Sequence, residues 1–252
     1  MLSSNPFAAL ADFLPALFMP VYIVLMTLAV VAGTLFDVIH KGSAKYFAQR
    51  RAQSEAAALR QLGGGETVAI AIGVIAEAAV SGEFSKWPRR LSHLLMMYGF
   101  FTYLAATVAM VYCYPAGTTT PAILPTLWTV GALMVLAGGL WFFFFLRVNV
   151  AYDGASAFHL GRADLFIGSV LASTAFALVW HCMQVTIGDT AWTRIAFGAY
   201  IFFTTLLFVS VPWSKFAHMF FKPAVRFQRR IEEVSGASDL AVACSENYIV
   251  RS

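Results

Sequence analysis

Residues 86–113 read "KWPRRLSHLLMMYGFFTYLAATVAMVYC". Lys86, Arg89 and Arg90 crowd the front of this stretch, and no Asp, Glu, Lys or Arg occurs from Leu91 to Cys113. A bilayer core about 30 Å thick needs about 20 apolar residues in a helix, so 91–113 is long enough to cross. The cations mark its boundary, and Pro88 suits an early helical position. Four further runs, about 15–39, 122–146, 164–187 and 194–216, meet the same requirement. The expected fold is therefore all-α, a polytopic bundle of five transmembrane helices.

Composition agrees. The 252-residue chain is 60% hydrophobic and only 12% charged, and it carries 23 phenylalanines, more than a soluble core of this size would use. Nothing in it suggests a nucleic-acid partner. Cys113, Cys182 and Cys244 stand apart without CxxC or Cys/His spacing, so no zinc site or iron–sulfur cluster is encoded. The first apolar run is too long for a signal-peptide core and lacks a basic start, which makes it a retained span.

Charge sorts the loops. Segments 40–90, 147–163 and 215–252 hold 16 of the 17 Lys and Arg residues, with Arg194 alone on the other side. The positive-inside rule then puts the N-terminus outside and the C-terminus in the cytoplasm of a cell inner membrane. Four regions follow: a first span (1–39), a cytoplasmic docking segment (40–90), a four-span bundle (91–216) and a C-terminal tail (217–252). Residues 66–80 within the docking segment are apolar but too short to cross. They either dock on the bundle or a partner, or lie as an interfacial helix.

His93 lies about one turn inside the basic boundary of span two. His218, in "PWSKFAHMFFKP", lies at a similar depth near the cytoplasmic end of span five, where Pro223 is expected to stop the helix. Two imidazoles at one level on separate helices can grip an iron from both faces of a porphyrin, and such an iron, with no open position, carries electrons. Arg89, Arg90 and Lys215 could pair with haem propionates or serve only as boundary anchors. His181, toward the outer end of span four, is an ionisable group at depth and therefore a candidate quinone contact or second haem ligand. His40 reads as a boundary residue and His159 as a structural loop residue. Asp153, His159 and Asp164 lack the i, i+3 or i+4 repeat of a metal-binding helix, and Asp164 fits an early-helix carboxylate.

The segment "PWSKFAHMFFKPAVRF" resembles the C-terminal signature of the nitrate reductase gamma-subunit superfamily of five-span cytochromes b. "RRLSHLLMMYGFFTYLAAT" is similar to the haem-ligand helix of its branch containing heterodisulfide reductase and quinone-interacting oxidoreductase membrane subunits, including adenylylsulfate reductase anchors. The resemblance covers spans two to five in layout. It implies that His93 and His218 form the inner ligand pair and that Pro212 matches a family proline. The outer ligand positions, ten residues after His93 and eighteen before His218, hold Tyr103 and Tyr200 instead. One haem b near the cytoplasmic face is thus implied, with the outer site emptied or rebuilt. The tyrosines could bond each other or a quinone headgroup, and a quinone site is expected near the inner haem, close to Tyr98 and Trp213.

The resulting expectation is an electron-transfer subunit linking a cytoplasmic iron–sulfur or flavin enzyme, such as adenylylsulfate reductase, to the quinone pool. Its alternative is a haem-free membrane anchor that recruits a soluble complex. A transporter fits less well, because no span carries a buried charge pair or paired Gly/Pro interruptions. A copper-dependent monooxygenase subunit is the remotest option.

Overall fold

The computed structural model describes residues 4–40, 43–82, 86–146, 164–210 and 218–237, with the backbone alone at 43–46 and 218–221. Every regular element among them is helical. In chain order these are α1 (Phe18–His40), α2 (Ser43–Ala57), α3 (Gly64–Ala79), α4 (Trp87–Cys113), α5 (Ile123–Trp141), α6 (Leu165–Ile187), α7 (Ala191–Val209) and α8 (His218–Ser235). Helices α1, α4, α5, α6 and α7 are long and apolar enough to cross a membrane, which bears out the five-span reading. In hydrocarbon the helix is favoured because it satisfies every backbone N–H and C=O within one segment. The chain divides into two units, residues 1–34 with 84–216 and residues 35–83 with 217–252.

The first unit is a bundle of α4, α5, α6 and α7 with α1 at its rim. Only 11% of the α1 window is buried, against 33–44% for the other four. Tyr22 holds α1 by donating to the Ile201 carbonyl at 3.2 Å, and Tyr112 of α4 donates to the Pro20 carbonyl at 2.8 Å. Helices α4 and α5 approach at backbone distance. A Cβ on Gly131 would lie 2.7 Å from the Tyr103 nitrogen, and one on Gly138 would lie 2.7 Å from the Ser92 carbonyl oxygen. Ser92 uses that proximity to donate to the Gly138 carbonyl at 2.8 Å. Small residues at a crossing allow the close packing that drives helix association in lipid. Past Trp141, α5 widens into a π turn, Phe142–Leu146, and Arg89 donates to the Leu146 carbonyl at 3.3 Å.

The second unit packs α3 against α8. Glu77 of α3 receives Arg226 at 2.8 Å and Arg230 at 3.1 Å. Arg50 of α2 grips the buried Glu232 with two 2.9 Å bonds. Glycine ends α8: Gly236 takes φ +77, and the Ala237 N–H bonds back to the Glu232 carbonyl at 2.9 Å, the geometry that closes orphan carbonyls at a helix end.

One expectation needs correction. Pro223 does not stop a helix descending from span five, because α7 ends at Val209 and His218 begins a separate helix that runs through Pro223 to Ser235. Proline removes one backbone donor and crowds the preceding turn, but α8 is held from outside by its Glu77 and Arg50 contacts.

Candidate functional site

His93 lies on α4, half-buried, beside the fully buried Ser92. Its expected partner, His218, heads α8 in the other unit, and only its backbone is described. Pro212, Trp213 and Lys215 lie outside the described residues, as do Asp153, His159 and Cys244. Arg89 is exposed and closes the end of α5, while Arg90 is half-buried. Tyr98 is 47% exposed on α4, and Asp164 occupies the N-cap of α6. His40 stacks on Phe36 at 5.3 Å. Among the described residues no three His, Cys, Asp or Glu side chains gather as a metal site.

The structure is most informative in the half of the bundle nearer the N-terminus. Tyr103 of α4 is 6% exposed and Tyr200 of α7 is 3% exposed. Both belong to one buried core cluster, and the Tyr103 hydroxyl makes no well-formed hydrogen bond. The Trp128 ring lies 5.3 Å from Tyr103, and Trp180 stacks on Tyr200 at 5.8 Å with an interplanar angle of 7°. Trp128 donates from Nε1 to the Thr107 hydroxyl at 3.0 Å, which itself donates to the Tyr103 carbonyl at 2.9 Å. His181 is buried edge-on to Trp128, with 5.6 Å between rings. Helices α4, α5, α6 and α7 thus each contribute rings to one packed layer.

The N-terminal segment seals this layer, which sequence reasoning missed. Asn5 donates from Nδ2 to the Tyr114 carbonyl at 3.0 Å and the Thr120 hydroxyl at 3.2 Å, and its Oδ1 accepts the Phe7 N–H at 3.0 Å. That local turn is a preferred conformation of asparagine. Phe7 is thereby wedged between Trp128, 6.0 Å away, and Trp180, 5.6 Å away. Gln184 donates to the Pro6 carbonyl at 3.2 Å. Close by, Arg194 bonds Asp189 and sits 5.0 Å above the Phe13 ring. The guanidinium holds the Asp189 carboxyl below the usual carboxylate range. The only hint in the sequence was the unusual density of aromatics.

A haem does not fit this layer, where aromatic rings occupy the volume and, among the described residues, His181 is the layer's one imidazole. At the other end, His93 is half-buried on α4.

No protein-family model matches the chain, and no solved structure matches it. Over 156 residues, 59% of the chain, it is 29% identical to citrate utilization protein B of Escherichia coli. The matched region spans 39% of that protein's length.

Proposed function

We propose that this chain is the membrane-embedded electron-carrying subunit of a quinone-linked oxidoreductase, holding one haem b between His93 and His218 near the cytoplasmic face. The observation that carries the reading is the placement of Tyr103 and Tyr200 together in one buried aromatic layer. In the resembled cytochromes the residues at these spacings from the inner ligands face each other across the bundle. That placement supports the correspondence at the outer positions, while His218 heads α8, a helix separate from α7.

A bis-histidine haem supplies one-electron transfer, since it leaves no coordination position for substrate. His93 would bind the iron from α4. Propionate pairing falls to Arg90 and Lys215 in this reading, with Arg89 closing the end of α5. The aromatic layer gives electrons no haem stepping stone across the outer half, so the quinone must react near the inner haem. Tyr98, exposed on α4, is better placed than Tyr103, Tyr200 or His181 to meet a headgroup arriving from lipid. The distribution of cations supports the cytoplasmic side for the haem and for the soluble partner. That partner would be an iron–sulfur or flavin enzyme. Sulfur-compound chemistry follows from the resemblance, and the likeness to a citrate utilization protein makes a carboxylic acid an equal candidate substrate.

The test is a dithionite-reduced spectrum of detergent-purified protein with a haem-to-protein ratio. One haem per chain is expected, lost in both His93→Ala and His218→Ala. A colourless wild-type protein that still integrates into membranes would instead establish the haem-free anchor.

A further inference from the structure

We propose that α3 lies in the plane of the membrane interface, with Val68, Ile72 and Ile75 turned into the acyl chains of a bilayer that need not be anionic. These three side chains are 57%, 62% and 66% exposed. Their i, i+4, i+7 spacing puts them on one stripe of the helix. Ala69 and Ala76, also exposed, widen that stripe without adding charge. The opposite side is already used: Val74 is buried, and Glu77 holds Arg226 and Arg230 of α8. The helix therefore has one face committed to its own unit and one apolar face with no partner among the described residues.

Chain continuity points to lipid as what covers that face. The same unit contains the last turns of α1, a membrane-spanning helix, whose Leu35, Phe36 and Ile39 are themselves exposed apolar residues. Its other segment begins at residue 217, only eight residues after α7 ends. Both chain entries thus tie the unit to spanning helices, so the bilayer is the apolar phase closest to hand. At about 1.5 Å per residue, the 16 residues of α3 are too short to cross a core about 30 Å thick, and an interfacial helix is the arrangement that remains.

Lipid charge is not required because the described arginines of the unit have partners within it. Arg50 pairs with Glu232, Arg51 with Glu55, Arg60 with Glu66, Arg226 with Glu77 and Arg229 with Glu233. Attachment through this face is therefore apolar insertion.

The experiment places a bimane label at Ile72→Cys in the full chain, with Cys113, Cys182 and Cys244 changed to serine. The protein is reconstituted in phosphatidylcholine nanodiscs with or without phosphatidylglycerol. A label at Gln53→Cys, exposed on α2, is the control, and Ala69→Cys replaces Ile72→Cys if that variant does not purify as a monodisperse species. Quenching by doxyl-labelled lipid should be several-fold stronger at 72 than at 53 and unchanged by the anionic lipid, with aqueous iodide showing the reverse preference. Equal iodide quenching at both sites would overturn the proposal and leave the stripe to a soluble protein. Doxyl quenching that appears only with phosphatidylglycerol would overturn its apolar basis. Neither readout depends on haem, so this inference and the electron-carrier reading fail separately.

Discussion

Tyr103 and Tyr200 are buried in the same core cluster of the bundle, each backed by a tryptophan: Trp128 at 5.3 Å from the first and Trp180 at 5.8 Å from the second. The Tyr103 hydroxyl is buried without a well-formed hydrogen bond. A buried polar group in that state costs about 1–3 kcal/mol. Tyr103→Phe should therefore leave the melting temperature in detergent unchanged or raise it. A drop of several degrees would show that the hydroxyl has a partner.

The rings in this layer are predicted to exclude a second haem even when ligands are supplied. In Tyr103→His/Tyr200→His, the haem-to-protein ratio should stay at the wild-type value, because Trp128 and Trp180 still occupy the space. Trp180→Ala by contrast opens a cavity, and loss of its packing should destabilise the bundle by about 3 kcal/mol in a denaturation series in mixed micelles.

Two glycines in helices should respond in opposite directions. Gly131→Ala drives a Cβ to 2.7 Å from the Tyr103 nitrogen, which is backbone and cannot step aside, so α4 and α5 must separate and stability must fall. Gly73→Ala meets nothing within 4 Å, and removing a helix-interior glycine should gain about 0.5–1 kcal/mol. Thermal unfolding of the two variants side by side reads the difference.

The Arg50–Glu232 pair predicts acid lability of the second unit. Hydrogen bonding to the Arg50 guanidinium lowers the Glu232 pKa. A carboxyl with a depressed folded-state pKa contributes stability that is fully present above its unfolded value, about 4.3, and is lost as pH falls through the folded value. Resistance of α8 to an acid protease should decline below about pH 4.3 in the wild type. Glu232→Gln should be less stable at pH 7 and lose most of this dependence.

Asn5 secures the N-terminal plug by bonding Tyr114 and Thr120. Asn5→Ala should release Phe7 from Trp128 and Trp180, raising acrylamide quenching of tryptophan fluorescence while leaving membrane integration intact. Unchanged quenching would mean that Phe7 packing alone holds the segment.

Span number and approximate position were legible because crossing a bilayer imposes a length and a hydropathy that a linear reading can measure. The boundaries near Pro88 and Asp164 were legible for a related reason, since helix starts carry local chemical signatures. Which face of each span turns inward was not, because lipid and bundle interior are both apolar and a helix hydrophobic all round announces no side. Tyr98 and Tyr103 look alike in the sequence, yet one is 47% exposed and the other 6%. Only the assembled bundle separated them, through the close approach of α4 and α5 at Gly131 and the rings that α6 and α7 bring in. The pairing of α3 with α8, the union of Arg50 with Glu232 and the plug at Phe7 likewise join residues far apart in the chain. Composition fixes that such groups need partners, and three-dimensional packing alone chooses which partners they find.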